Sequence, residues 1–203
     1  MSKPHLYTNP RSRGRTVRWM LEEIGAPYDI TVLNYGESMK AADYLAINPM
    51  GKVPALVHNG MVVTECAAIC AYLAEAFSDA GFAPKPEERA AYLRWFFFAA
   101  GPLEMAITNH SMGWEPDTKQ QGFAGYGNYK LVNEVLEQAV SKSPYIAGQR
   151  FTAADVYIGA QIGWGLQFNL LEKRQGFIDY WERLSTRPAF LRATELDNSL
   201  VIK

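Results

Sequence analysis

The chain has 203 residues, with 20 Lys+Arg against 21 Asp+Glu and a formal charge of −1, so no long-range field draws in nucleic acid or an anionic membrane. Its 48% hydrophobic and 20% charged composition is globular rather than disordered, and the length suits one large domain or two small ones. No run of about eighteen apolar residues reads as a bilayer span, and a start of Met-Ser-Lys-Pro-His followed by Arg11, Arg13, Arg15 and Arg18 does not read as a secretory signal, so a cytoplasmic location is expected.

His5-Leu6-Tyr7-Thr8 reads as a short strand. Val17, Met20, Leu21 and Ile24 then recur at i, i+3, i+4 and i+7, an amphipathic helix stopped by Gly25 and Pro27. The turn between them is Thr8-Asn9-Pro10-Arg11-Ser12-Arg13-Gly14-Arg15. A helix N-terminus offers unpaired N–H groups and positive potential that favour an anion, and Ser12, Asn9 and Thr8 add neutral donors. The alternative is that Ser12 simply caps the helix and the arginines are solvated. Tyr28, Ile30 and Val32 alternate with Asp29, Thr31 and Leu33 as a second strand, and residues 43–47 form a short helix ended by Asn48-Pro49.

Residues 53–58, Asn59-Gly60 and Met61–Thr64 carry a strong hairpin signal, because Asn-Gly suits the two positive-φ positions of a type I′ turn. Pro54 opens the first of these strands, although proline cannot donate to a ladder. A cis Val53–Pro54 bond, the state of about one X-Pro bond in twenty, would turn the Val53 N–H and C=O outward toward a ligand. Residues 65–77 continue as an Ala-rich helix carrying Ile69, Leu73 and Phe77. Glu65 at its start suits the helix dipole and could also accept an ammonium group. Cys66 and Cys70, four apart on that helix, read as small buried apolar side chains rather than a disulfide. The element order is βαβαββα, and the first turn, Val53 and Glu65 together outline a pocket for a small zwitterionic thiol or peptide.

The sequence changes character near residue 80, where residues 78–86 hold one Gly and two Pro and read as a linker. Pro86-Glu87-Glu88 opens a helix running to about Met112, and Trp95-Phe96-Phe97-Phe98 within it is apolar on several faces, as a helix buried between neighbours would be. The Gly-rich stretch 122–127 has no strand before it and no Lys-Ser/Thr after it, so it reads as a helix–helix connection and not a phosphate loop. Residues 128–141 form another helix, with Val132, Val135, Leu136 and Ala139 on one side. Phe151-Thr152-Ala153-Ala154-Asp155-Val156 reads as a capping box with Asp155 in place of Glu, stapled by Phe151 and Val156. The three histidines, His5, His58 and His110, have no Cys, Asp or Glu at ligand spacing, so no metal site is expected.

The βαβαββα order, Asn-Pro-x-Gly-Lys-Val-Pro-Ala-Leu at 48–56, Glu-Cys-Ala-Ala-Ile-Cys-Ala-Tyr-Leu at 65–73 and Phe-Thr-Ala-Ala-Asp at 151–155 resemble the soluble glutathione S-transferases. The resemblance covers essentially the whole chain with the motifs in order. Tyr-Thr-x-Pro-x-Ser-Arg at 7–13 and Trp-Met-Leu-Glu-Glu at 19–23 look most like bacterial members. It implies an α+β thioredoxin-like domain over residues 1–80 and an all-α domain over 86–203 that contributes the electrophile site. It also implies a homodimer, glutathione as co-substrate, a hydrophobic electrophile, and neither metal, nucleic acid nor membrane.

Carried over by motif, the resemblance implies that Val53 pairs its backbone with the cysteinyl part of glutathione and that Glu65 meets the γ-glutamyl amine. Position 66 is normally the serine that binds the γ-glutamyl carboxylate; here Cys66 offers a weaker S–H donor. Lys52 and Lys40 fall near the glycyl end. The family's catalytic Tyr, Ser or Cys lies near the end of the first strand. Arg11 stands where several serine-type classes have their serine, Ser12 takes that place with one residue of slack, and Asn9 falls near the tyrosine position, while Tyr7 reads as structural. Ser12, with Asn9 and Thr8 assisting, is the expected catalytic set. Met105, His110 and Trp114 are the expected wall of the electrophile site, although each also fits ordinary packing.

A thiol with a pKa near about 8.5 is only a few per cent ionised at neutral pH. Lowering it by about two units takes roughly 2.7 kcal/mol, within reach of one hydroxyl hydrogen bond to a charged acceptor, about 1.5–3 kcal/mol, plus a helix N-terminus. A second reading is a transferase-like binding or interaction module that has lost its chemistry, supported by Arg11 and Cys66 at positions where serine is expected. A thiol–disulfide oxidoreductase would want a cysteine in the first turn, where there is none.

Overall fold

A computed structural model of the protein describes residues 2–201. These form two compact units, one within Met1–Ala83 and Thr186–Lys203, the other Pro84–Ser185.

The first unit is built on a mixed sheet of β1 (His5–Thr8), β2 (Asp29–Val32), β3 (Ala55–His58) and β4 (Met61–Thr64) in the order β2-β1-β3-β4. β1 and β2 run parallel, and the other neighbours are antiparallel. Asn59 and Gly60 take φ of 53° and 75°, the two positive values the tight hairpin needs. Helix α1 (Gly14–Ile24) buries Val17, Met20 and Leu21, as its spacing requires, and ends where left-handed Gly25 donates its N–H to the Leu21 carbonyl. The short α2 (Ala42–Leu45) buries Tyr44, and α3 (Cys66–Ala76) buries Ile69, Cys70 and Leu73. Both cysteines are buried and neither forms a disulfide.

In the second unit, α4 (Arg89–Phe98) and α5 (Glu104–Met112) are joined by a π-helical turn, Ala99–Leu103, that contains Pro102. The wider turn accommodates a residue that lacks an N–H and crowds the preceding carbonyl, so the expected helix is one rod with a local bulge. Helix α6 (Tyr129–Lys142) is capped by Asn128, whose side chain accepts the Leu131 N–H at 2.8 Å. α7 (Ala153–Gln167) and α8 (Gln175–Ser185) complete the unit. The capping box at Thr152 and Asp155 is present, and it does more than cap. The buried Asp155 carboxylate accepts from the Thr152 N–H at 2.8 Å, the Ile146 N–H at 2.7 Å and the Tyr180 hydroxyl at 2.7 Å, pinning a loop and two helices. Burial raises its pKa to about 6 against the pull of these donors.

The last helix, α9 (Pro188–Ser199), departs from the expected 86–203 domain: it packs on α1 and belongs to the first unit. Arg187 and Arg192 pair with Glu23 and Glu22 at 2.6 and 3.2 Å, and Trp19 meets Phe190 edge-on. Beneath them Arg18 Nε lies 2.9 Å from Asp197 Oδ1, with side chains 3% and 1% exposed. Their contact is a close charge pair whose N–H misses hydrogen-bond alignment. Burial raises the Asp197 carboxyl to about 6, against the attraction of Arg18 and Arg15. Among the described residues no helix is long and apolar enough to cross a membrane.

Candidate functional site

Strand register assembles the site. Thr8 pairs with Val32, Tyr7 with Ala55, and Ala55 with Thr64. The residues just beyond those pairs, Asn9, Val53-Pro54 and Glu65-Cys66, therefore gather at one end of the sheet. Cys66 Sγ, donating to the Arg13 carbonyl at 3.6 Å, ties the start of α3 to the start of α1.

The Val53–Pro54 bond is cis. No partner for the Val53 N–H or C=O occurs among the described residues, so both remain available for an extended peptide. The segment leading to Val53 is held firmly. The Lys52 carbonyl accepts the Tyr44 hydroxyl at 2.5 Å and the Asn48 amide at 2.8 Å. Asn48 also accepts the Met50 N–H at 3.1 Å through its side chain and the Gly51 N–H at 2.8 Å through its carbonyl. Gly51 has φ of 57°, and a Cβ there would lie 2.7 Å from the Met39 carbonyl oxygen, so only glycine fits. The Lys52 side chain is exposed. Lys40 instead donates to the Met50 carbonyl at 3.0 Å and steadies the same turn.

At the start of α3, Glu65 takes φ 65° and ψ 121° with its side chain exposed. A non-glycine residue there stores about 1–3 kcal/mol of strain. Its carboxylate has no partner among the described residues, nor do the amides of Cys66, Ala67 and Ala68; the first helical bond is Ile69 N–H to Glu65 carbonyl at 2.9 Å. An open first turn of this kind receives an anion, and an acid beside it receives a cation. The Cys66 thiol points to Arg13, so the open donors at this position are backbone N–H groups.

The start of α1 is arranged differently from the sequence expectation of open N–H groups. The Arg11 N–H bonds to Asn9 Oδ1 at 2.9 Å and the Ser12 N–H to the Asn9 carbonyl at 3.0 Å. The Gly14 N–H bonds to Ser12 Oγ at 2.9 Å and the Arg15 N–H to the Ser12 carbonyl at 3.2 Å. Ser12 gives its one proton to the Asn9 carbonyl at 2.7 Å, and the Asn9 amide holds the Leu33 carbonyl at 2.7 Å. Short polar side chains satisfy their own backbone in this way whenever they can reach it. Thr8 is fully buried, its Oγ1 only 2.0 Å from where a Gly14 Cβ would stand. Tyr7 stacks on His5 with ring centroids 4.6 Å apart.

One residue at this end has no counterpart in the sequence reading. Tyr35, in the loop after β2, is 59% exposed, and its hydroxyl donates to the Arg11 carbonyl at 3.3 Å. Nothing local marks it, since its partner lies 24 positions away.

In the second unit Met105 and Trp114 are exposed. His110 stacks on Tyr129 with centroids 3.8 Å apart and contacts Glu115 through Nδ1. It lines a cleft of about 560 Å³ together with Lys130 and Glu172, a polar setting.

Residues 2–75 match the family model described as glutathione S-transferase, N-terminal domain. The chain is 29% identical over 213 residues to glutathione S-transferase 3 of Schizosaccharomyces pombe, covering 94% of this chain and 87% of that protein. Among solved structures it is similar to a glutathione transferase of Methylococcus capsulatus, with TM-score 0.78, 26% identity and coverage of 97% and 99% of the two chains. It is also similar to the glutathione transferase URE2P6 of Phanerochaete chrysosporium in complex with oxidized glutathione, with TM-score 0.78, 28% identity and 98% of both chains covered.

Proposed function

We propose, from the match of residues 2–75 to the glutathione S-transferase N-terminal model and the near full-length similarity to glutathione transferases, that the chain is a glutathione S-transferase that binds glutathione at the sheet end and transfers a hydrophobic electrophile to its sulfur. The γ-glutamyl carboxylate would receive the open amides of α3, its amine the Glu65 carboxylate, and the cysteinyl backbone the Val53 N–H and C=O. The glycyl end would lie toward Lys52 and the turn steadied by Lys40, and the thiol toward the first turn of α1. One observation carries this reading: unpartnered peptide groups at Val53 and an uncapped α3 beside an unpaired acid lie together, matching an extended zwitterionic peptide in both charge and hydrogen bonding.

The chemical contribution of such a site is to keep the sulfur ionised. Free thiol is only a few per cent thiolate at neutral pH, so each unit by which binding lowers its pKa, while it stays above ambient pH, raises the reactive fraction about tenfold. Catalysis here is preorganised stabilisation of S⁻, with the electrophile held in place to receive it. Ser12 enters as the residue that shapes the turn; donating to sulfur would require its proton to leave the Asn9 carbonyl.

The test is titration calorimetry with glutathione, followed by conjugation of a chlorodinitrobenzene. Glu65→Gln removes the amine's counter-charge and should weaken glutathione binding about tenfold or more. Unchanged binding in that variant would overturn this placement of the ligand. Binding without conjugation would favour the second reading, a glutathione-binding module without transferase chemistry, which the inward-facing Cys66 thiol and the engaged Ser12 hydroxyl also support.

A further inference from the structure

We infer that the hydroxyl which hydrogen-bonds the glutathione sulfur is that of Tyr35, from the loop after β2, and not one from the first turn of α1. The inference rests on the transferase reading and assigns the donor within that same site.

A thiolate beside the first turn needs a proton donor that is both reachable and weakly engaged. Ser12 fails the second condition, because its proton lies on the Asn9 carbonyl at 2.7 Å and its oxygen receives the Gly14 N–H at 2.9 Å. Breaking the first of these would loosen the turn that defines the site. Asn9 is engaged through both side-chain atoms, at 2.7 Å to Leu33 and 2.9 Å from Arg11. Thr8 fails the first condition, being sealed under Gly14.

Tyr35 meets both. Its bond to the Arg11 carbonyl is 3.3 Å, well beyond the usual O–H···O distance of about 2.7–2.8 Å, and it is the longest hydroxyl contact at this end of the sheet. The residue is 59% exposed, so rotation about the side-chain torsions meets little packing. Gly36 follows it at φ 75°, a conformation that glycine adopts freely. A charged sulfur is also the better acceptor, since charge-assisted hydrogen bonds are roughly twice as strong as neutral ones. The Arg11 carbonyl loses little, because Arg11 is itself exposed and water replaces the phenol. When glutathione binds, the Tyr35 O–H, keeping its proton, turns its hydrogen bond from a neutral carbonyl to S⁻.

The experiment is a pH titration of thiolate absorbance for glutathione bound to the full chain, in the unaltered protein and in Tyr35→Phe, alongside glutathione affinity, kcat and melting temperature. The expected result is glutathione affinity within about twofold of the parent, an unchanged melting temperature and a raised pKa of the bound thiol. The thiolate fraction at neutral pH, and kcat with it, should fall about tenfold or more. An unchanged thiol pKa in Tyr35→Phe overturns the assignment, and so does outright loss of glutathione binding, which would make Tyr35 a binding residue. If the unaltered chain itself fails to bind glutathione, the transferase reading falls and the Tyr35 assignment falls with it.

Discussion

Replacing Ser12 by alanine separates a residue that builds a turn from one that acts on sulfur. The substitution removes a hydroxyl that donates to the Asn9 carbonyl at 2.7 Å and accepts the Gly14 N–H at 2.9 Å. The Asn9 carbonyl keeps the Ser12 N–H at 3.0 Å, so it stays satisfied, whereas the Gly14 N–H, in a buried residue, is left without an acceptor. An orphaned buried donor costs about 1–3 kcal/mol and a lost hydrogen bond about 1 kcal/mol. A net destabilisation of about 2 kcal/mol follows, which in a chain of 203 residues lowers the melting temperature by about 4–8 °C. Differential scanning calorimetry of Ser12→Ala measures this, with Ser12→Thr as the variant that retains a hydroxyl. The bound glutathione thiol should keep its pKa to within about half a unit, a differential interaction under about 0.7 kcal/mol. A Ser12→Ala protein that melts with the parent while its bound thiol becomes far less acidic would refute the reasoning.

Gly51→Ala should destabilise by at least about 1–3 kcal/mol, because the new Cβ meets the Met39 carbonyl oxygen at 2.7 Å with φ at 57°; a calorimetric melt matching the parent would contradict this. Cys66→Ser keeps its side chain facing the Arg13 carbonyl that Sγ now meets and leaves the open amides of α3 unchanged, so glutathione binding should stay within about twofold, under roughly 0.5 kcal/mol, which calorimetry reads directly; a clear tightening would contradict this. Asp155 and Asp197 carry folded-state pKa values of about 6 against ordinary values of 3.8. Their protonated forms are therefore favoured in the folded state, and that stability, at most about 3 kcal/mol each, is complete below about pH 4 and lost as pH rises through 6. Glu88 works the other way: burial raises its pKa but the Arg150 guanidinium outweighs it, so its contribution is lost only on acidification below about 4.5. Urea midpoints should accordingly be higher at pH 5 than at pH 7, and the opposite order would contradict the two aspartate assignments.

Much of the fold is legible because its signals are local. The Val17-Met20-Leu21-Ile24 spacing, Asn59-Gly60 between two short apolar runs, and Thr152 three residues before Asp155 each act within a turn or two of chain, and α1, the hairpin and the capping box formed where these signals lie. Pro102 is the instructive case inside a helix, since it set a bulge rather than an end.

Part of the candidate site was also legible. Val53 and Glu65 were marked by a proline at a strand start and an acid at a helix start, and β3–β4 register brings them together. The rest depended on distances that sequence spacing does not encode. Whether Ser12 keeps its proton for a ligand turns on the Asn9 carbonyl being 2.7 Å away. Tyr35 reaches Arg11 only because β2 lies parallel to β1. The return of α9 to α1, which took the end of the chain out of the helical unit, joins Arg15 to Asn198 across 183 positions. Spacing and composition act over a few residues through backbone torsion and burial periodicity. Which donor is already occupied, and which helix covers which, is decided only once distant segments compete for the same hydrogen bonds and charges.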